Sequence, residues 1–121
     1  MKESLYITKE QLQFIDNYLP SMTVSDSIAN FFNIFGDNTR VRILSALSVS
    51  NMCVGDLCYV LKINQTTISH QLKLLKDANI VKATRQGRLI IYSICNKFVH
   101  DAIILGVDKV ENDKYLYKYA N

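Results

Sequence analysis

Between Asn64 and Lys76 the chain reads Asn-Gln-Thr-Thr-Ile-Ser-His-Gln-Leu-Lys-Leu-Leu-Lys, with short hydroxyls, amides and an imidazole threaded through an apolar stripe. Ile68, Leu72 and Leu75, spaced by four and three, fall on one side of a 3.6-residue period, and Leu74 is expected to widen that stripe. Gln65, Thr66, Thr67, Ser69, His70, Gln71 and Lys73 are left for the other faces. These groups suit the edges of base pairs. Gln can pair bidentately with adenine, Thr can touch the thymine methyl, and a helix N-terminus favours phosphate. The competing reading is that Thr and Ser gather at a helix start only as caps. Thr66, Thr67, Ser69, His70 and Gln71 are therefore expected base or near-base contacts, with Gln65 and Lys73 in support.

A second set of charges follows in Arg85-Gln86-Gly87-Arg88, a basic turn with no acid. It lies between the strand-like runs Ile80 to Thr84 and Leu89 to Ile94, and Gly87 supplies the backbone freedom that a hairpin turn needs. Arg85 and Arg88 can lie along a phosphate backbone or enter a minor groove; the alternative is an ordinary solvated turn.

The elements that must hold these residues can be read around them. Asn64 caps the polar-faced helix, and upstream Val54 to Lys62 is a short helical pattern with Leu57, Val60 and Leu61 as its buried stripe. Two short helices joined at Ile63-Asn64-Gln65 make a helix-turn-helix, whose second helix enters the major groove. Asp37 caps a helix from Asn38 to Ser48 with Val41, Ile43, Leu44 and Leu47 inside. Before it, Thr8 to Tyr18 is amphipathic with a stop at Pro20, and Ser25 to Phe35 carries Ile28, Phe31, Phe32 and Phe35. After the hairpin, Asn96 caps a helix to about Val110 with Phe98, Ala102, Ile103, Leu105, Gly106 and Val110 as its apolar set. The first and last helices carry more apolar surface than a three-helix winged domain needs, so they are expected to form a dimer interface; the alternative is that they close over their own core. Tyr115-Leu116-Tyr117-Lys118-Tyr119 is a short aromatic tail. The expected fold is mainly α with a β-hairpin wing, a single winged helix-turn-helix domain over residues 1–121. Its reading head spans about 54–77, its wing about 80–95, and its dimerisation helices about 8–19 and 96–110.

Composition sets outer limits. A chain of 121 residues with 49% hydrophobic and 21% charged residues builds one core. No apolar run approaches the roughly 18–20 residues of a spanning helix, and Met1-Lys2-Glu3-Ser4 lacks a signal-peptide hydrophobic region, so a cytoplasmic protein without membrane association is expected. Three cysteines outside a secretory context predict reduced thiols. Net charge is only +3, but Lys73, Lys76, Lys82, Arg85 and Arg88 gather it on the helix and wing. With two histidines, no phosphate-cradling glycine loop and no nucleophile–base–orienter set, an enzyme is not expected.

Taken in order, five segments resemble the ArsR/SmtB family of winged-helix repressors. They are Gly36-Asp37-Asn38-Thr39-Arg40-Val41-Arg42-Ile43-Leu44, Val54-Gly55-Asp56-Leu57, Ser69-His70-Gln71-Leu72-Lys73-Leu74-Leu75, Arg85-Gln86-Gly87-Arg88 and Tyr92-Ser93. The match runs from about Ile28 to Asn96 and is nearest to the zinc- and cobalt-sensing branch. The resemblance implies a homodimeric transcriptional repressor that sits on double-stranded operator DNA with inverted-repeat symmetry and leaves it when a metal ion or other inducer binds. The alternative is a winged-helix protein-interaction or dimerisation module without DNA readout.

The inducer site departs from the family pattern. The zinc sensors' terminal-helix ligands fall here on Asn96, Phe98, Lys109 and Asn112; Phe98 and Lys109 cannot replace imidazoles, and a cationic Lys repels a metal. His100 with Asp101, Asp108 and Glu111 is a displaced cluster to be weighed against an ordinary solvated face. Cys53-Val54-Gly55-Asp56-Leu57-Cys58 resembles the Cys-Val-Cys-Asp-Leu-Cys segment of the arsenic and cadmium sensors, with Gly55 at the middle cysteine. Cys53 and Cys58 are thus the candidate ligands for a thiophilic metal(loid) such as As(III), Cd(II) or Pb(II). Against this, residues five apart do not stack on one helix face, and Cys58 suits a small buried position. Cys95 is a third thiol, which would complete a trigonal site or a redox switch if the fold brought it to the other two. A metal-independent or thiol-redox-responsive repressor is the further alternative.

Overall fold

The computed structural model describes residues 4–113, so the aromatic tail Tyr115 to Tyr119 lies outside the described residues. The chain forms two compact units, Met1–Asn33 and Ile34–Asn121. In the first, α1 spans Lys9–Tyr18 and opens on a reciprocal cap: Thr8 Oγ1 accepts from the Gln11 backbone N–H at 3.1 Å while Gln11 Oε1 accepts from that of Thr8 at 2.9 Å. It stops at Leu19, whose extended backbone is what a residue before Pro20 must adopt. The second helix, α2, covers Met22–Asn33, three residues earlier at its start than the Ser25 to Phe35 expected. Ser21 is the reason: its Oγ accepts from the Val24 N–H at 3.2 Å and its carbonyl from the Ser25 N–H at 2.8 Å, so Ser25 falls inside the helix. Neither helix has a buried residue.

The second unit opens with a 3₁₀ turn, Ile34–Gly36, followed by α3 (Asn38–Val49), α4 (Val54–Leu61), α5 (Gln65–Asp77), an antiparallel hairpin of β1 (Val81–Gln86) and β2 (Leu89–Ile94), and α6 (Lys97–Asn112). Side-chain caps start the helices where the sequence places them: Asp37 on Arg40 N at 3.0 Å, Asn64 on Thr67 N at 2.8 Å and Asn96 on Val99 N at 3.0 Å. Lys62 (φ 57°) and Asn79 (φ 59°) turn the chain out of α4 and α5 through the left-handed region.

One core holds the unit together: Ile43, Leu44 and Leu47 of α3, Leu57 and Leu61 of α4, Ile68, Leu72 and Leu75 of α5, Ile80 and Val81 at the wing base, and Val99 and Ile103 of α6. Several expected core positions lie elsewhere. Val60 is 52% exposed and Leu74 44% exposed, because the short α4 and the narrow α5 seam each need only one row of contacts and both residues stand off it. Val41 is half-buried. In α6, whose apolar set is expected at a dimer interface, Val99 and Ile103 are buried and Phe98 and Leu105 are exposed.

The hairpin is longer than expected on its first strand. Ile80 donates its N–H to Leu75 O at 2.9 Å, completing the end of α5, so the ladder begins at Val81 and runs through Arg85 and Gln86 in register Gln86↔Leu89. Only Gly87 (φ 62°) and Arg88 are left as the turn. A bridge that the sequence does not reveal joins it: Met52 exchanges both backbone hydrogen bonds with Tyr92, at 3.2 and 2.8 Å, pinning the α3–α4 connection to the wing.

Candidate nucleic-acid interface

With Ile68, Leu72 and Leu75 buried, the opposite face of α5 presents Gln65, Thr66, Ser69, His70 and Lys73 to solvent. Thr67 and Gln71 are only half-buried and lie on the flank. The exposed set is lightly held: Lys73 Nζ meets Asp77 Oδ2 at 3.3 Å one turn away, an exposed pair that a phosphate can outcompete. On the wing, Arg85 and Arg88 are both exposed, and Arg85 Nε donates to Gly87 O at 3.2 Å across the turn.

Two arginines of α3 reach the reading head, a role that sequence reading does not assign them. Arg40 Nε donates to Ile34 O at 3.0 Å and its Nη1 to Gln71 Oε1 at 3.4 Å. Arg42 Nη2 donates to Leu61 O at 3.2 Å, the last carbonyl of α4 before the turn. So α3 grips one helix of the motif by its end and the other by a candidate reading side chain. A sequence signal exists: a cation in the first turn of a helix opposes the macrodipole, so Arg40 behind the Asp37 cap needs another reason to be there.

The candidate metal donors do not assemble. Cys53 caps α4: its Sγ accepts from the Asp56 N–H at 3.4 Å, and Asp56 Oδ2 accepts from the Cys53 N–H at 3.1 Å. Cys58 is half-buried within α4, and the Cys95 thiol donates to Asn79 O at 3.4 Å. A Cβ built on Gly55 would lie 3.7 Å from Cys53 Sγ, so the glycine replaces the very side chain that would face that thiol. On α6, Asp101 is taken by Lys97 Nζ at 2.8 Å, with His100 Nδ1 at 3.6 Å from its other oxygen. The Lys97 hydrogen bond, ahead of its charge and of His100, holds the Asp101 carboxyl below the usual carboxylate range. Asp108 Oδ1 accepts from Asn112 Nδ2 at 2.7 Å. Among the described residues no three His, Cys, Asp or Glu side chains converge on a metal position. Neither the trigonal set Cys53, Cys58 and Cys95 nor the displaced set around His100 therefore forms, and the donors of one chain do not fit a thiophilic ion that needs three.

Among the described residues no helix is long and apolar enough to cross a membrane. Residues 37–83 match the model of the bacterial regulatory protein, arsR family. The chain is 33% identical over 90 residues to the transcriptional repressor SmtB homolog of Synechocystis sp., covering 74% of this chain and 68% of that one. It is 31% identical to the cadmium resistance transcriptional regulatory protein CadC homolog of Staphylococcus aureus, covering 85% of each. Its structure aligns with the antimony-specific transcriptional repressor AntR at TM-score 0.72 and 28% identity, over 80% of this chain and 88% of that one. A homodimeric winged helix-turn-helix DNA-binding domain from Mycobacterium bovis shares the fold at TM-score 0.67 and 23% identity, over 79% of this chain and 92% of that one. With relatives above 30% identity matched over most of their length, and with a winged reading head of this geometry, the chain belongs to the ArsR family of bacterial regulatory proteins, DNA-binding transcriptional regulators and not enzymes.

Proposed function

We propose that this ArsR/SmtB-type transcriptional repressor acts as a cytoplasmic homodimer on an inverted-repeat operator, with α5 in the major groove and the hairpin along the flanking backbone. The observation that carries the reading is the exposed row Thr66, Ser69, His70 and Lys73 on a helix whose opposite side buries Ile68, Leu72 and Leu75 in the core. These residues, with Thr67, Gln71 and Gln65, take the base and near-base contacts; Arg85 and Arg88 take phosphates or the minor groove. The outward apolar residues of α1 and α6, among them Phe14 and Leu105, support burial against a second copy.

For the inducer, the CadC homolog and AntR are by name a cadmium resistance regulator and an antimony-specific repressor. A thiophilic metal(loid) such as As(III), Cd(II) or Pb(II) is the class those names support, with Cys53 and Cys58 as its candidate donors. Two thiols in one chain are one donor short of a trigonal site.

The test is fluorescence anisotropy of the reduced protein on the DNA upstream of its own gene, followed by titration of As(III) or Cd(II) into the complex. Salt-sensitive binding is expected; its absence overturns the repressor assignment to this head. Release that disappears in Cys53→Ser assigns the sensing to the thiols. Unchanged binding throughout the titration places the inducer elsewhere.

A further inference from the structure

Arg40 and Gln71 are joined by a contact whose chemistry has a direction. A guanidinium carries donors only, so the atom of the Gln71 amide that meets Arg40 Nη1 at 3.4 Å has to be the carbonyl oxygen Oε1. Arg40 is itself held from two further sides: its backbone N–H donates to Asp37 Oδ1 at 3.0 Å and its Nε to Ile34 O at 3.0 Å. Gln71 is half-buried on the flank of α5, which restricts the rotamers open to it. With Oε1 taken by Arg40, the part of the amide left for another partner is Nε2 with its two N–H donors.

We propose that Arg40 fixes the amide polarity of Gln71 and so makes guanine, not adenine, the favoured base opposite it in each half-site. The proposal rests on the reading that Gln71 faces a base. A freely rotating Gln favours adenine, because it accepts from N6 and donates to N7 at once. An amide that offers only donors is matched by the paired acceptors O6 and N7 of guanine and is rejected by cytosine, whose major-groove group is a donor. Arg40 is thus a positioning residue that sets specificity without touching DNA.

The experiment is selection from a pool of randomised duplexes by the full-length protein, sequenced at equilibrium, for wild type, Arg40→Met, Gln71→Met and Gln71→Glu. Wild type is expected to favour guanine over adenine by about tenfold at one position per half-site, and Gln71→Met to flatten that position alone. Arg40→Met should move the same position toward adenine while leaving the others unchanged. Gln71→Glu retains an oxygen for Arg40 and turns a second acceptor outward, so its preference should pass to cytosine; this variant decides the matter if Arg40→Met does not fold. Uniform weakening of every sequence by Arg40→Met overturns the proposal while leaving Gln71 a base contact; an unchanged guanine preference in Gln71→Glu, whose carboxylate only accepts, overturns it by taking Gln71 off that base. A Gln71→Met protein that selects the wild-type sequence at every position removes Gln71 from the reading surface, and the proposal with it.

Discussion

Cys53 is a helix cap before it is anything else, and this decides how its variants should be read. Its sulfur occupies the place that Ser, Thr, Asn or Asp normally holds, accepting from the Asp56 N–H while Asp56 returns the bond. Cys53→Ser preserves that geometry with a better acceptor, so its stability should match wild type, whereas Cys53→Ala should lose about 0.5–2 kcal/mol in urea unfolding. Equal stability of the two variants would show that the cap contributes nothing. The consequence for inducer experiments is direct: a phenotype in Cys53→Ala can come from a frayed α4, and only Cys53→Ser isolates the thiol. Gly55 gives a complementary prediction. Its added Cβ meets only Cys53 Sγ, at an ordinary 3.7 Å, so Gly55→Ala should raise stability by about 0.4–1 kcal/mol, checked in the same denaturation assay.

At the scale of elements, the wing places its two arginines differently. Arg85 lies in β1 opposite Ile90 and reaches back to the Gly87 carbonyl, whereas Arg88 stands in the turn itself. Arg88→Ala is therefore expected to weaken binding to all operator variants alike. The salt slope of log K should fall by about 1 for each phosphate that is no longer neutralised, measured by anisotropy between low and moderate salt. An unchanged slope would leave the turn off the DNA. Much of this architecture is legible in the chain, for local reasons. Asp37, Asn64 and Asn96 are short polar side chains placed directly before apolar periodicity, and each caps its helix. The features that sequence does not reveal are non-local. Met52 pairs with Tyr92 across forty residues through backbone atoms alone, which leaves no mark on side-chain pattern. Periodicity reports the apolar set of α6 without separating Ile103, which is buried, from Phe98 and Leu105, which are exposed, because it does not say which neighbour covers each residue. The partners of the α3 arginines are non-local as well: Arg42 reaches Leu61 and Arg40 reaches Gln71 across the fold, so the first-turn position of Arg40 signals a role without naming its partner. Among the candidate site residues, exposure separates Thr66, Ser69, His70 and Lys73 from the half-buried Thr67 and Gln71, a distinction that spacing alone cannot draw.

For the whole molecule, charge and uncovered apolar surface set the conditions for tight binding. With a net charge of only +3 over the whole chain, one copy has a modest non-specific hold on DNA, and two heads fixed on one operator would raise the affinity. A two-fold dimer presents its paired α5 helices to half-sites about one helical turn apart, roughly 34–36 Å. In the proposed dimer α6 is the candidate to be covered, because it keeps Val99 and Ile103 for its own core and leaves Leu105 67% exposed. Leu105→Glu should therefore leave the monomer fold intact by circular dichroism and thermal melting, while converting the sedimenting species from dimer to monomer. Operator affinity should then fall by about 10²-fold or more, toward non-specific values, as the avidity of linked heads disappears. Joining two Leu105→Glu chains by a long flexible linker tests the cause, since it restores proximity without restoring the interface. Recovery of most of the operator affinity in the linked form would assign the defect to dimerisation. A variant that remained dimeric and bound normally would put the interface on other residues, with the outward row of α1 around Phe14 the next to substitute.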